Sequence, residues 1–198
     1  KMKNAFSLFI ILLVLIGCQQ KEYSLEDLTE NQGIYYLKDS KKPYTGKTIN
    51  RINNYILSIN DFIDGEHLSG QSFHPNGTIQ YDLQFKNNLK NGYYREYYPN
   101  GKLLYECFYI DGKLDGKAHF FYSNGQLENT KIYKKDKEIG ESKRFYENGQ
   151  LKSETDSLDN SKTYYKDGKL RSIQDAGKEE IFYNKEGKKI LFQEVEEN

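Results

Sequence analysis

The chain has no tryptophan, one methionine, three prolines, three histidines and two cysteines in 198 residues. Each shortage excludes something. Two cysteines cannot build the dense disulfide framework that holds up small exported domains. Three histidines without Cys or carboxylates at ligand spacing exclude a zinc motif, and no metal or other cofactor is expected. There is no phosphate-binding Gly-rich loop and no Gly-x-Ser-x-Gly elbow, so no catalytic residues are assigned and an enzyme is not expected. No charge of one sign dominates, with 29 basic and 29 acidic residues. A nucleic-acid partner, which calls for a basic excess, is therefore not expected. Apolar runs are also missing after residue 17, and helical periodicity is absent beyond residue 33.

What is abundant is the aromatic ring. Tyrosine appears 18 times and phenylalanine 11 times, although only 36% of residues are hydrophobic. Flat rings favour a half-buried pleated surface, and disordered chains lack them.

The N-terminus is a separate object. Lys1 and Lys3 precede an apolar run from Ala5 to Ile16, broken only by Ser7, and then Leu15-Ile16-Gly17-Cys18. The run is short for a membrane span and fits a secretory signal. Its ending resembles the lipobox of bacterial lipoproteins. That resemblance implies cleavage before Cys18, acylation of its thiol, and attachment of the chain to a membrane of the bacterial envelope. Residues 1–17 are then a signal helix, 18–33 a polar tether and 34–198 a repeat domain. Within the tether, Ser24 and Asp27 are spaced to cap one helical turn. With Cys18 acylated, Cys107 has no disulfide partner.

The repeat is announced by one glycine series, Gly77, Gly101, Gly125, Gly149, Gly168 and Gly187, spaced 24, 24, 24, 19 and 19 residues apart. The preceding residues are Asn76, Asn100, Asn124, Asn148, Asp167 and Glu186. Asn-Gly and Asp-Gly predict type I′ hairpin turns, in which both central residues take positive φ. Glu186 suits that conformation poorly, so the last hairpin is expected to be irregular. A second series, Gly46, Gly70, Gly92, Gly116 and Gly140, predicts a second, longer turn in each repeat. Four residues before each glycine of the first series stands a ring: Phe73, Tyr97, Phe121, Phe145, Tyr164, Tyr183. After it, Ile79, Tyr81, Leu83 and Phe85, then Leu103, Tyr105, Cys107 and Tyr109, alternate with mostly polar residues, the period of a strand with one buried face. The rings are expected to form one apolar layer, with Cys107 a small buried member of it. His74 takes a slot held elsewhere by Tyr98, Tyr122, Tyr146 and Tyr165 and reads as a substituted aromatic.

The pattern Phe/Tyr-Tyr-x-Asn-Gly-x-Leu followed by Tyr-x-x-Gly-Lys-x-x-Gly resembles bacterial MORN-type repeats, in the variant found in YwqK-family antitoxins. The lead-in ending in Pro43-Tyr44-Thr45-Gly46 also resembles the opening of those proteins, and the resemblance runs over residues 28–192. It implies an all-β fold, an elongated, twisted, single antiparallel sheet of tandem hairpins. It specifies no activity, since such repeats serve many roles. The expected function is a lipid-anchored, non-enzymatic scaffold that binds an unidentified protein at the envelope. Alternatives are an antitoxin or immunity protein, and a binder of cell-wall glycan or lipid headgroups.

Overall fold

The computed structural model describes residues 21–190. The expected signal helix and the expected lipidation site, Cys18, lie outside the described residues. The chain opens with a 3-10 turn, Leu25–Asp27, then β1 (Leu28–Asn31) and β2 (Ile34–Leu37), which pair with each other as a two-stranded sheet. The remaining strands form one 16-stranded antiparallel sheet whose path does not close on itself. It begins with β3 (Gly46–Ile52), β4 (Tyr55–Ile63), β5 (Glu66–Phe73), β6 (Ile79–Lys86), β7 (Leu89–Tyr97) and β8 (Leu103–Ile110). It continues with β9 (Lys113–Leu114), β10 (Gly116–Phe121), β11 (Leu127–Lys134), β12 (Lys137–Glu138) and β13 (Ser142–Phe145). It ends with β14 (Leu151–Thr155), β15 (Ser161–Tyr164), β16 (Leu170–Gln174), β17 (Ile181–Tyr183) and β18 (Lys189–Ile190). Each strand pairs with its sequence neighbours, except that the two-residue strands β9 and β12 are short extensions beside β8 and β11. At about 4.8 Å per strand the ribbon is about 60 Å long. Tandem hairpins in one sheet are therefore the architecture, as the repeat pattern predicts.

The two turn series are the reverse of the expectation. In the Asn-Gly series only the glycine has positive φ, for example Gly77 at 83° and Gly101 at 80°. Gly77 N–H donates to the His74 carbonyl and His74 N–H to the Thr78 carbonyl, both at 2.8 Å. These bonds define a three-residue loop, a type I turn closed by a left-handed glycine, and each register slips by one residue just before the loop. Asparagine is needed there for its side chain. Asn76 Oδ1 accepts Thr78 N–H at 3.1 Å and Asn124 Oδ1 accepts Gln126 N–H at 2.8 Å. Glu186-Gly187 forms the same regular loop, because Asn184 Oδ1 accepts the Glu186 and Lys188 N–H groups.

The two-residue type I′ turns belong to the other edge. Asp64-Gly65, Asn87-Asn88, Asp111-Gly112 and Lys135-Asp136 each place both central residues at positive φ. These turns are the tighter of the two kinds. The second glycine series lies a few residues beyond them, not in the turns. Gly92 (φ 112°) marks a bulge where a Cβ would stand 2.1 Å from Gln84 Oε1, so no larger residue fits without displacing that side chain.

The segment read as a tether is folded from its middle onward. Leu28 is buried with Tyr44 and Phe62, and Tyr23, Tyr35 and Leu37 pack around them. Tyr23 bridges Thr48 on the edge strand β3, Ile49 N–H donates to the Tyr23 carbonyl at 2.7 Å, and Arg51 grips Glu22 through two bonds of 2.9 and 3.1 Å. Short polar spacing hid this, because one leucine and one tyrosine suffice to dock the segment. The Ser24–Asp27 cap forms: Ser24 N–H and hydroxyl both donate to Asp27 Oδ2. Those bonds, the backbone one first, hold the Asp27 carboxyl below its ordinary range.

Candidate functional site

Because residues opposite one another in an antiparallel sheet share a face, the register sorts every side chain onto one of two faces. One is aromatic. Leu83, Tyr94 and Cys107 are directly paired across β6, β7 and β8. One row over, Tyr81, Glu96, Tyr105 and Phe120 follow each other across β6, β7, β8 and β10. The rings touch: Tyr105 and Phe120 centroids are 4.5 Å apart, Tyr94 and Tyr105 6.1 Å, Tyr94 and Tyr109 6.4 Å. Small residues between them vanish from solvent, Cys107 at 1% and Ala118 at 0% exposure. The rings themselves stay half-buried, since a single sheet supplies no second layer over β7 to β10. Lys90 Nζ lies 5.2 Å from the Tyr94 centroid and 5.0 Å from that of Tyr109, a cation held against two ring faces.

Burial dominates the electrostatics of this face. It pushes the Tyr94 hydroxyl up to about 12, with Glu96 adding to the effect, and raises the Tyr105 hydroxyl further still. Burial also pushes the Cys107 thiol up, against the opposing pull of the Tyr105 hydrogen bond and of Lys90. A protonated, buried thiol is unreactive, as expected of a packing residue.

The opposite face is ionic. A single row runs through the registers from Gln71 to Asp82, Arg95, Glu106, His119, Thr130, Lys143, Glu154, Lys162 and Ile173. Arg95 Nε meets Glu106 Oε2 at 2.6 Å, and the Arg95 guanidinium sits 4.6 Å above the Tyr93 ring. The ring series Phe73 to Tyr183 borders this face at the three-residue-loop edge. Tyr97 donates its hydroxyl to Asp82 at 3.0 Å and Tyr164 donates to Glu154 at 2.8 Å, while the Phe121 ring lies 6.4 Å from that of His119. Burial first, and then the carboxylate partner, push both tyrosine hydroxyls up to about 12. The expected single apolar layer is thus two series on two faces. The slip before each loop changes the parity, and a slip leaves no mark in the spacing of rings.

The loop edge carries a third device. Tyr98, Tyr122, Tyr146 and Tyr165 donate their hydroxyls to the carbonyls of Phe121, Phe145, Tyr164 and Tyr183, each at 2.8 Å. His74 contacts the Tyr97 carbonyl through Nε2 at 2.8 Å, doing the work of the tyrosine it replaces. Asn76, Asn100, Asn124 and Asn148 donate their amides to the next loop's backbone. The turn residues therefore bind repeat to repeat. Lys90 and the Arg95–Glu106 pair escaped notice in the sequence; a charge recurring at one register position was their only signal. Among the described residues no three potential ligand side chains cluster to hold a metal.

Residues 66–87, 90–111, 114–135 and 138–158, four tandem stretches that together make up less than half of the chain, match the family described as MORN repeat variant. No curated protein matches the sequence. Among solved structures, a mutant of S. aureus TarM in complex with fondaparinux, alpha-GlcNAc-glycerol and UDP is similar at 14% identity and TM-score 0.33, covering 61% of this chain and 25% of that one. The GtfA/B complex bound to UDP and GlcNAc gives 14% identity and TM-score 0.23, covering 57% and 22%. Accessory secretory protein 1, 2 and 3 in Streptococcus pneumoniae gives 15% and 0.24, covering 63% and 21%. The chain spans a quarter or less of each.

Proposed function

We propose that this is a non-enzymatic scaffold, anchored in the bacterial envelope through a lipid on Cys18, that takes a protein partner on its aromatic face. The observation that carries the reading is the uncovered patch of half-buried rings around Lys90. Tyrosines give large, stiff, amphipathic contact area, and a patch rich in them with few charges has the composition of an interface centre. The 24-residue repeat extends such a patch across successive hairpins, as linear arrays do for elongated partners.

In-cell crosslinking of the anchored chain, with Lys90→Glu and Tyr109→Ala beside the unaltered protein, tests this. Both variants are expected to melt within a few degrees of the parent and to lose its crosslinked neighbour. Full retention of that neighbour by folded variants would overturn the assignment. The anchor is tested separately: labelled fatty acid should enter the parent and not Cys18→Ser. The resemblance to antitoxin-like MORN proteins supports a second reading, in which the partner is a toxin neutralised at the envelope. A toxin gene beside this one would favour it.

A further inference from the structure

The ionic row has an order that its role within one chain does not explain. We propose that the ionic face pairs two copies of this chain face to face, about a twofold axis that runs parallel to the strands between β10 and β11. The centre of the row holds no carboxylate, lysine or arginine, with His119 on β10 beside Thr130 on β11. Outward on one side come Glu106, Arg95 and Asp82; outward on the other come Lys143, Glu154 and Lys162. At every equal distance from the centre the two signs are opposite. A twofold rotation about that axis reverses position along the row and turns the face over. It therefore sets Glu106 against Lys143 of the second copy, Arg95 against Glu154 and Asp82 against Lys162, each pair occurring twice, as an isologous interface requires.

The alternative stacking, without reversal, sets each charge against its own copy, like upon like, and is repelled. The order of signs thus selects one arrangement. Lys143 and Lys162 form no ion pair among the described residues of their own chain, although Glu154 is their neighbour in the row; a partner's carboxylates supply what the chain does not. Toward the tight-turn edge, Ile110, the last residue of β8, and Ile139, just past β12, each 45% exposed, add apolar surface to the same face. Twisted sheets packed face to face cross at about 30°, so contact is richest over the central six strands. That is about 29 Å by 20 Å, or about 600 Å² per copy, which clears what a specific interface needs.

Zero-length carbodiimide coupling of the full chain in detergent micelles, using an equal mixture of isotopically heavy and light protein, tests the pairing. Glu106–Lys143 peptides joining heavy to light chains are expected. Within one chain Glu106 and Lys143 are three strand spacings apart, about 14 Å, beyond the reach of such coupling. The Lys143→Glu/Lys162→Glu variant is expected to weaken the dimer about tenfold or more by sedimentation, with its melting temperature little changed because both lysines are exposed. A monomer at all micromolar concentrations, a dimer lacking these crosslinks, or a folded variant that dimerises as before would each overturn the proposal.

Discussion

The two ends of the ribbon are built from the same hairpin and held by different forces. From β4 to β8 the strands run eight or nine residues, and the side chains shut from solvent are Phe62, Leu83 and Cys107. From β13 to β18 the strands run two to five residues, and the one buried side chain is Ser172, whose hydroxyl lies 2.5 Å from that of Thr163. In the C-terminal region three-residue loops form both edges. Asp159, at φ 62°, takes the left-handed place held elsewhere by glycine, and Asp156 N–H donates to the Asn160 carbonyl. Shortening the repeat from 24 to 19 residues removes the segment that carries the aromatic face. What remains is stabilised by backbone ladders, hydroxyl pairs and the tyrosine-to-carbonyl bonds. A linear array tolerates this contrast because each hairpin answers only to its neighbours.

The comparison breaks most easily at the aromatic end. Phe62→Ala removes the ring at the centre of the N-terminal cluster and is expected to cost about 3–5 kcal/mol. Hydrogen exchange should show protection lost over β1 to β5 and kept over β13 to β17. Uniform loss along the chain would show instead that the ribbon unfolds as one unit. Gly92→Ala strikes a bulge peculiar to the long-strand region, forcing a side chain into positive φ and against Gln84; a loss of about 1–3 kcal/mol in denaturant melts is expected.

Acid should discriminate the two ends next. His67 stacks between Phe62 and Phe85, with centroids 4.7 and 4.1 Å away. Burial holds its pKa below the ordinary value, against the opposing pull of the Ser69 carbonyl and Asp61. The unfolded chain therefore takes up the proton first. Stability from this group is complete above the unfolded pKa, near 6.5, and falls as pH drops through it, by at most about 1.4 kcal/mol per pH unit. Melts between pH 7.5 and 5 should show protection lost at the N-terminal end, and His67→Phe should flatten the dependence. Tyr122→Phe deletes one inter-repeat bond and is expected to cost about 1 kcal/mol, centred on β10 to β14. The smallest effect is a gain: Asp159→Gly relieves left-handed strain and should stabilise the C-terminal region by about 0.5 kcal/mol.

The sequence by itself determined the repeat, the all-β class and the positions of the Asn-Gly turns, because glycine at a fixed interval and rings at period two reflect local sterics. It also marked His74 as a stand-in for tyrosine, since the slot is visible in the spacing. Turn type was not legible. Asn76 before Gly77 fits a type I′ turn as well as a type I turn with a side-chain bond to Thr78, and the backbone bonds at His74 decide between them. Nor was the allocation of rings to faces, because a one-residue slip before each loop flips every later side chain and costs the spacing nothing. The ionic row from Asp82 to Lys162 exists only through seven successive registers. Leu28 and Tyr23, set in a mostly polar stretch, gain their role from Phe62 and β3, residues that only folding brings to them.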